Sequence, residues 1–554
     1  MKPLLTINTE LQKPRLPIIP KGQILRPSQV EAVQLMDDFL NRPLLVDKPV
    51  KGIFNGSDMG TGKSPTTIAS LNTQKAFRNI FIVPSSVKYN WAKEIEKWST
   101  HERKTILICD EGRDLQKASD FNFIITSPGL LHRVDLLYYL YRIPIHSLVI
   151  DESTVIKNPR SAAAKTIRKY LASRVKHIYC LSGTGLLKNL QDLWTPFSFI
   201  DPLFFGDRTE FLNKYSYSYG INLAKQLPNG EIRTHRAIEY TGSREEEELA
   251  EFIGSRFYLR YSLEDVAPEL PPMSWLEVSV PDKDLKKDKE NREAIDEYER
   301  WCRGDIPDLD LDNLSDTETI LAMSKMSLTK AKVLNKAKKA TAHERLPYIL
   351  NYAKELVDTG QSIIIFAYHL DMIREIEEFF KSKKVKTGTI TGDVESKERQ
   401  NIVDRFQALE FPVFIGQIKA CSEGLNLTAA SAVLMAELDW AQGKNQQAAK
   451  RAHRIGQTRP VIIYYFTSDT SADKNLLRNL AGKAELSNKV LGTDLPTFRE
   501  DMEVGFACTR KEALRKVEAT IAEHPGYTTE EIAQITGPIK IKTFNNLKKG
   551  INTL

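Results

Sequence analysis

Short apolar runs punctuate the first third of the chain. After Lys51 they follow one another as GIFNGS, NIFIVPSS, TILICD, NFIITSP, HSLVIDES and HIYCLSGT, ending near Pro202. Each is long enough for one strand and closes on small, polar or turn residues, and helical stretches lie between them. Continuous apolar strands alternating with helices predict a parallel sheet covered on both faces. The pattern resumes after Leu346 with SIIIFAYH, KTGTITGD, FPVFIGQI, SAVLMAEL and VIIYYFTS. The two series are not a repeat of fixed period, so they predict two α/β domains and not a solenoid. Sheets of this kind bind ligands beyond the carboxyl ends of their strands, where polar residues gather here.

Between the two series the character changes. Pro281 to Arg345 is rich in charge and reads as helical, with an acidic centre, RGDIPDLDLDNLSDTE, before a basic TKAKVLNKAKKATAHER. A solvated helical insert and a DNA-facing surface both accommodate that charge. The last fifty residues form another pattern: EALRKVEATIAEH, then Pro-Gly, TTEEIAQITG and IKIKTFNNLKKG. Thr528 and Glu531 have capping-box spacing, and Gly537 can end that helix. The segment after it carries Lys540, Lys542, Asn545, Asn546, Lys548 and Lys549. A helix-turn-helix fits this pattern, and so does a small helical bundle that never touches DNA. The expected divisions are an N-terminal tail (1–20), a first lobe (21–265), a charged helical insert and linker (266–345), a second lobe (346–495) and a C-terminal module (505–554).

Composition excludes more than it identifies. The 554 residues suit three or four units at roughly one per 150 residues. The 78 Lys and Arg against 72 Asp and Glu leave +6, too mild a charge to mark a nucleic-acid binder without local patches. No apolar run approaches the ~18 residues of a membrane span, and MKPLLTINTE lacks the apolar core of a secretory signal. The five cysteines (109, 180, 302, 421 and 508) are scattered and never CxxC, which favours free thiols in a reducing compartment over disulfides or zinc. The expectation is a cytoplasmic protein without membrane contact, from a bacterium or a phage-infected host cell.

The strongest local motif is Ser57-Asp-Met-Gly-Thr-Gly-Lys-Ser64 before the helical PTTIASL. Gly60 and Gly62 let backbone N–H groups wrap phosphate oxygens, and a helix N-terminus adds favourable dipole charge. Lys63 would reach the outer phosphates, and the Ser64 hydroxyl would hold Mg²⁺. Ser57 stands where a strict phosphate loop has glycine. Some ninety residues later LVIDEST ends an apolar strand in Asp151-Glu152. There, one carboxylate can hold Mg²⁺ and its neighbour can orient or deprotonate a water. An acidic pair at this place can also simply cap the next helix.

Taken in order, these motifs resemble the Swi/Snf-like branch of superfamily 2 helicase-like ATPases, which translocate on double-stranded DNA. LRPSQ resembles the family's adenine-reading motif, SDMGTGKS its DEMGLGKT, and VPSSVKYNWAKEIEKW its next, DNA-contacting motif. DESTVIKN resembles the DEAH-IKN box, LSGTGLLKNLQDLW the LSGTP…NLQELW segment, and FYLRYSLEDVAPELPP the entry to the second lobe. EGLNLTAAS and QQAAKRAHRIGQ resemble the last two motifs. IIIFAYH, MAELDW and HRIGQTRPVIIYYF are similar to the HARP-type annealing helicases.

The resemblance implies two RecA-like lobes with parallel sheets, helical insertions and a small α-helical C-terminal domain. It implies ATP and Mg²⁺ as cofactors, bound through Arg26, Gln29, Gly60, Thr61, Gly62, Lys63, Ser64, Asp151 and Gly424, with Ser64 and Asp151 on the metal. Lys63, Glu152, Gln447, Arg451 and Arg454 are the implied catalytic residues. The two arginines stand three apart, which on a helix sets them on one face. Implied DNA contacts are Ser85, Lys88, Trp91, Ser127, Gly392, Arg399 and Trp440. The basic C-terminal segment adds Asn545 and Lys548 as candidates on its own composition. Trp91 and Trp440 read more readily as packing aromatics. Four departures from the family pattern stand out: Ser57-Asp58 for Asp-Glu, Thr154 for His, Gly185 for Pro and Lys450 for Asp.

The function implied is an ATP-driven translocase on double-stranded or branched DNA that anneals strands or remodels forks. Replication or recombination proteins would be further partners. A strand-separating helicase and a DNA-binding loader or scaffold with weak ATPase are the alternatives. For the C-terminal module, deletion of residues 505–554 is expected to spare basal ATPase, since every catalytic motif precedes Gln457. It should raise the DNA concentration for half-maximal stimulation, and each lost phosphate contact should flatten the log–log salt slope by roughly 0.9. Identical DNA dependence at every salt concentration would assign the module to packing or to a protein partner.

Overall fold

The computed structural model describes residues 15–41, 50–131, 140–183, 190–226, 232–281, 284–286, 288–303, 316–421, 425–493 and 495. Gly424, most of the N-terminal tail and the whole 505–554 module with Asn545 and Lys548 lie outside the described residues.

The six apolar runs of the first series become β1 (Gly52–Asn55), β2 (Asn79–Ile82), β3 (Ile106–Ile108), β4 (Phe123–Thr126), β5 (Ser147–Ile150) and β6 (His177–Leu181). An antiparallel ribbon follows, β7 (Tyr217–Gln226) with β8 (Ile232–Thr241), and then β9 (Tyr258–Leu259). The first sheet has the order β3-β4-β2-β5-β6-β1-β9, with every pairing parallel. Its central strands are buried at every position, as runs covered on both sides must be. Alternate side chains feed two cores. Ile80 and Ile82 point into one, and Phe81 and Val83 into the other.

The second sheet joins β10 (Met273–Ser279), β11 (Ile363–Ala367), β12 (Thr387–Ile390), β13 (Val413–Gln417), β14 (Ala432–Met435) and β15 (Val461–Thr467) in the parallel order β10-β15-β14-β11-β13-β12. It is again a layer between two cores: Ile364 and Phe366 face one, Ile363 and Ile365 the other. Two stacked α/β lobes are therefore the architecture, as the hydrophobic pattern predicts.

The boundaries differ from expectation. The chain enters the second sheet at Met273, because MSWLEVS alternates as an edge strand and pairs with β15 along its whole length. Residues 266–345 are thus no separate insert. The helix Asp316–Asp358 also runs straight through the expected 345/346 border. Its later turns bury Ala342, Leu346, Ile349 and Ala353 against the second sheet.

Buried charge fixes that helix in place. Arg345 pairs with Asp473 at the start of helix Ser471–Leu491, and both side chains are almost fully buried. Glu344, wholly buried, pairs with Arg292 at 2.9 Å. Lys338 donates to the Leu438 carbonyl at 2.5 Å, and burial lowers its pKa to about 8. Removing one partner from a buried pair strands the other charge, typically at about 3–5 kcal/mol. Arg345→Ala should accordingly destabilise the second lobe by that order in chemical denaturation. A loss below about 1 kcal/mol would mean that water reaches Asp473.

Candidate active site

Strand β1 ends at Asn55, and the chain loops tightly into helix Lys63–Thr73. Gly60 and Gly62 both have φ of 85°, a conformation strained for other residues. A Cβ on Gly62 would also stand 2.2 Å from the Gln29 amide nitrogen. Ser57, the residue in the glycine place, is put to use: its hydroxyl accepts the Tyr261 N–H at 3.0 Å and ties the loop to the segment after β9. The Lys63 ammonium donates to the Ser57 and Asp58 carbonyls at 2.8 and 2.9 Å. Burial depresses its pKa, and Glu152, Asp151 and Asp58 oppose that shift. Ser64 is the second residue of the helix, at its positive end.

Gln29 donates to the Thr61 carbonyl at 2.9 Å, and its own carbonyl oxygen accepts the Arg26 N–H at 2.9 Å. The Arg26 guanidinium is held by the Val266 carbonyl and Glu269. The adenine-reading candidates are thereby braced against the phosphate loop.

Asp151 and Glu152 follow β5 directly, and β6 lies between β5 and β1. The acidic pair and the loop thus leave the same sheet edge one strand apart. Gly183, just after β6, fits between them: a Cβ there would meet the Lys63 ammonium at 3.1 Å and the Met59 side chain at 2.6 Å. Glu152 has φ of 46°, a left-handed conformation costing a non-glycine residue about 1–2 kcal/mol. Strain of this kind concentrates at functional positions. Asp151 is oriented from both sides, accepting the Trp91 indole N–H at 2.8 Å and the Glu152 N–H at 2.9 Å.

The second lobe closes the site. Gln447, on helix Gln442–Ala449, reaches Glu152 at 3.5 Å. The helix stops there, so Arg451 and Arg454 do not share a helical face as their spacing suggested. Arg451 and Ala452 donate to the Ala448 and Ala449 carbonyls, which tightens the chain into turns. Arg451 is 1% exposed, and its guanidinium lies 3.8 Å from the Met59 sulfur of the phosphate loop. Burial lowers the Arg454 pKa to about 10, leaving it charged, and its Nε is buried with no hydrogen-bond partner among the described residues. A phosphate oxygen would suit it. Together with the glycine loop, the Lys63 ammonium and the oxygens of Ser64 and Asp151, this donor set fits a magnesium nucleotide.

Sequence reasoning marked Asp58 and Lys450 only as departures, and Arg260 and His453 not at all. Asp58 pairs with Lys450 from the second lobe and with Arg260 at 3.0 Å. His453 Nε2 sits 2.7 Å from the Pro271 carbonyl. The third-motif residues Thr184 and Gly185 lie outside the described residues.

The DNA candidates divide. Ser85 and Gly392 are exposed beyond strand ends, whereas Ser127 is buried. Lys88 is 5% exposed; it donates to the Cys109 carbonyl and pairs with Asp110, so its ammonium faces inward. The Arg399 guanidinium donates to the carbonyls of Thr391, Gly392, Val394 and Ala420, organising the loop that presents Gly392. Trp91 is buried. Trp440 packs under Lys338 and donates to Asn335 at 3.1 Å. Both indole N–H groups are thus engaged within the protein, Trp91 with Asp151 and Trp440 with Asn335.

This split site on paired parallel sheets has the layout of a two-lobed ATPase core, and comparison with known proteins gives its family. The SNF2-related domain matches residues 29–301, and the helicase conserved C-terminal domain matches residues 344–456. The chain belongs to the Swi/Snf-like branch of the superfamily 2 ATPases. Among its relatives is the SWI/SNF-related matrix-associated actin-dependent regulator of chromatin subfamily A-like protein 1 of Xenopus tropicalis, 28% identical over 85% of this chain and 45% of that protein. The human DNA annealing helicase and endonuclease ZRANB3 is 27% identical over 78% of this chain and 38% of its own length. The chain thus spans less than half of either relative. The Sulfolobus solfataricus SWI2/SNF2 ATPase core in complex with dsDNA is 23% identical with a TM-score of 0.38, covering 95% of this chain and 98% of that one.

The indole of Trp91 donates to the carboxylate of Asp151, a candidate magnesium ligand. Trp91→Phe keeps the ring and removes one hydrogen bond to a charged acceptor, worth about 1.5–3 kcal/mol. It should raise the Mg²⁺ concentration for half-maximal nucleotide binding by about ten-fold with little change in melting temperature. An unchanged Mg²⁺ requirement would reduce Trp91 to a core residue.

Proposed function

We propose that the chain is an ATP-driven translocase on double-stranded DNA that anneals strands or remodels branched DNA. The carrying observation is the seating of the Gln447–Arg454 segment of one lobe on the phosphate loop and acidic pair of the other, through the Gln447–Glu152 and Arg451–Met59 contacts. Lys63 and the glycine loop would hold the β- and γ-phosphates, and Glu152 would take the proton of the attacking water. Mg²⁺, when bound by Ser64 and Asp151, would neutralise phosphate charge. Arg454 would meet the charge that develops on the transferred phosphoryl, an effect worth about 10³–10⁵ in rate. Because the cations come from both lobes, turnover requires their approach and product release relaxes it, which gives a hinge cycle. The annealing role draws its support from the name of one relative and from the C-terminal motifs. A motor must also pass over any sequence, so its DNA contacts should go mainly to phosphates.

Lys63→Ala should cut ATP turnover by about 10³-fold or more while DNA binding persists. Glu152→Gln should bind ATP but stall hydrolysis, because an amide cannot accept the proton. Arg454→Ala should lose about 10³-fold in kcat with little change in nucleotide affinity. Normal turnover in the Lys63 variant would remove the nucleotide assignment, and in the Arg454 variant the two-lobe site. Stimulation of turnover measured on single strands, duplexes, forks and four-way junctions tests the substrate, and stimulation by single strands alone would reject the duplex translocase.

A further inference from the structure

Two of the departures from the family pattern meet each other. Where the family carries acids in both places, DEMGLGKT and DRAHRIGQ, this chain has Asp58 in the phosphate loop and Lys450 at the head of the arginine turns. Their side chains form an ion pair across the lobes, with 10% and 9% of each exposed. The other Asp58 oxygen accepts from Arg260 at 3.0 Å, and the Asp58 backbone holds the loop through the Tyr261 carbonyl and the Lys63 ammonium. Burial works to raise the Asp58 carboxyl, but Lys450 and Arg260 outweigh it and hold its pKa below the ordinary carboxylate value. The next residues in each lobe also touch, Met59 against Arg451. Two consecutive residues of one lobe therefore register two of the other.

Acids at both positions would repel as the lobes approach, and here that repulsion is replaced by attraction in a site largely shielded from water. The geometry points to Lys450 as a positioning residue: through Asp58 it docks the arginine turns on the phosphate loop, so that lobe approach is favoured by the chain itself before nucleotide or DNA contributes. This rests on the nucleotide reading of that loop. The docking itself can be measured without nucleotide. In this chain closure would then be partly prepaid, and basal turnover would be high relative to the DNA-stimulated rate.

Donor and acceptor dyes placed through Glu102→Cys and Lys381→Cys, both exposed and one on each lobe, report the inter-lobe distance in the full chain without added nucleotide. Lys450→Asp, which restores the family's acid, and Lys450→Met, which keeps the aliphatic stem, should both shift the population to longer distances, whereas Lys450→Arg should retain the short one. In turnover, Lys450→Met should lower basal kcat by about ten-fold with the KM for ATP within two-fold. It should also raise the ratio of DNA-stimulated to basal rate. Asp58→Asn, which also weakens the Arg260 pair, combined with Lys450→Met should be no worse than Asp58→Asn alone, since the Asp58–Lys450 interaction is already lost in it. Melting curves for each variant show that it is folded. An unchanged distance in folded Lys450→Asp, or wild-type basal turnover in Lys450→Met, would overturn the inference. Failure of Lys63→Ala to affect turnover would instead remove the nucleotide reading beneath it.

Discussion

A γ-phosphate gathers negative charge on several sides, and no single loop surrounds it. This constraint shapes the molecule. Lys63 and the two glycines belong to the first lobe, and Gln447 and Arg451 of the second reach Glu152 and Met59, so these contacts exist only while two separately cored sheets face each other. The parallel topology makes this possible. It delivers β1, β5 and β6 to one edge, so the phosphate loop, Asp151, Glu152 and Gly183 come from distant stretches of sequence yet lie side by side. The supporting shell follows the same logic, with Gln29 under Thr61, Trp91 on Asp151 and Ser57 on Tyr261, each fixing a group that must not drift.

Much of this was legible in the sequence, for identifiable reasons. The strands of both lobes announce themselves because residues buried on both faces must be apolar without interruption. The phosphate loop is readable because glycine and lysine at fixed spacing answer a local steric and electrostatic demand. Edge strands were harder. MSWLEVS alternates and sits among charges, which is also the pattern of a linker, and the β7–β8 ribbon mixes tyrosines with polar residues in a way that matches no strong template. The arginine turns carry helical spacing, and spacing alone cannot reveal where backbone bonds tighten from one period to another.

Cross-lobe and side-chain pairings were not legible at all. Asp58 and Lys450 stand 392 positions apart, and each looked like an isolated deviation that weakened the family pattern. Lys88 and Arg399 present the converse lesson. A basic residue in a nucleic-acid motif invites a phosphate partner, yet both are committed to protein carbonyls and, for Lys88, to a carboxylate. Residue type gives the charge; only the fold shows where that charge is already satisfied.

The helix Asp316–Asp358 lies between the two functions of such a molecule. From Val333 onward it is packed into the second lobe, while its backbone also lies against β7 and β8 of the ribbon carried by the first. The turns from Asp316 to Lys332, ahead of that packing, form a rod of ~25 Å. A rod of that length is a gear as much as a strut. One degree of rotation at its embedded end sweeps the far end through a little under ~0.5 Å, so a few degrees of lobe movement become a displacement of ~1–2 Å there. In this helix a small rotation of one lobe is carried outward and enlarged at the end that leaves it.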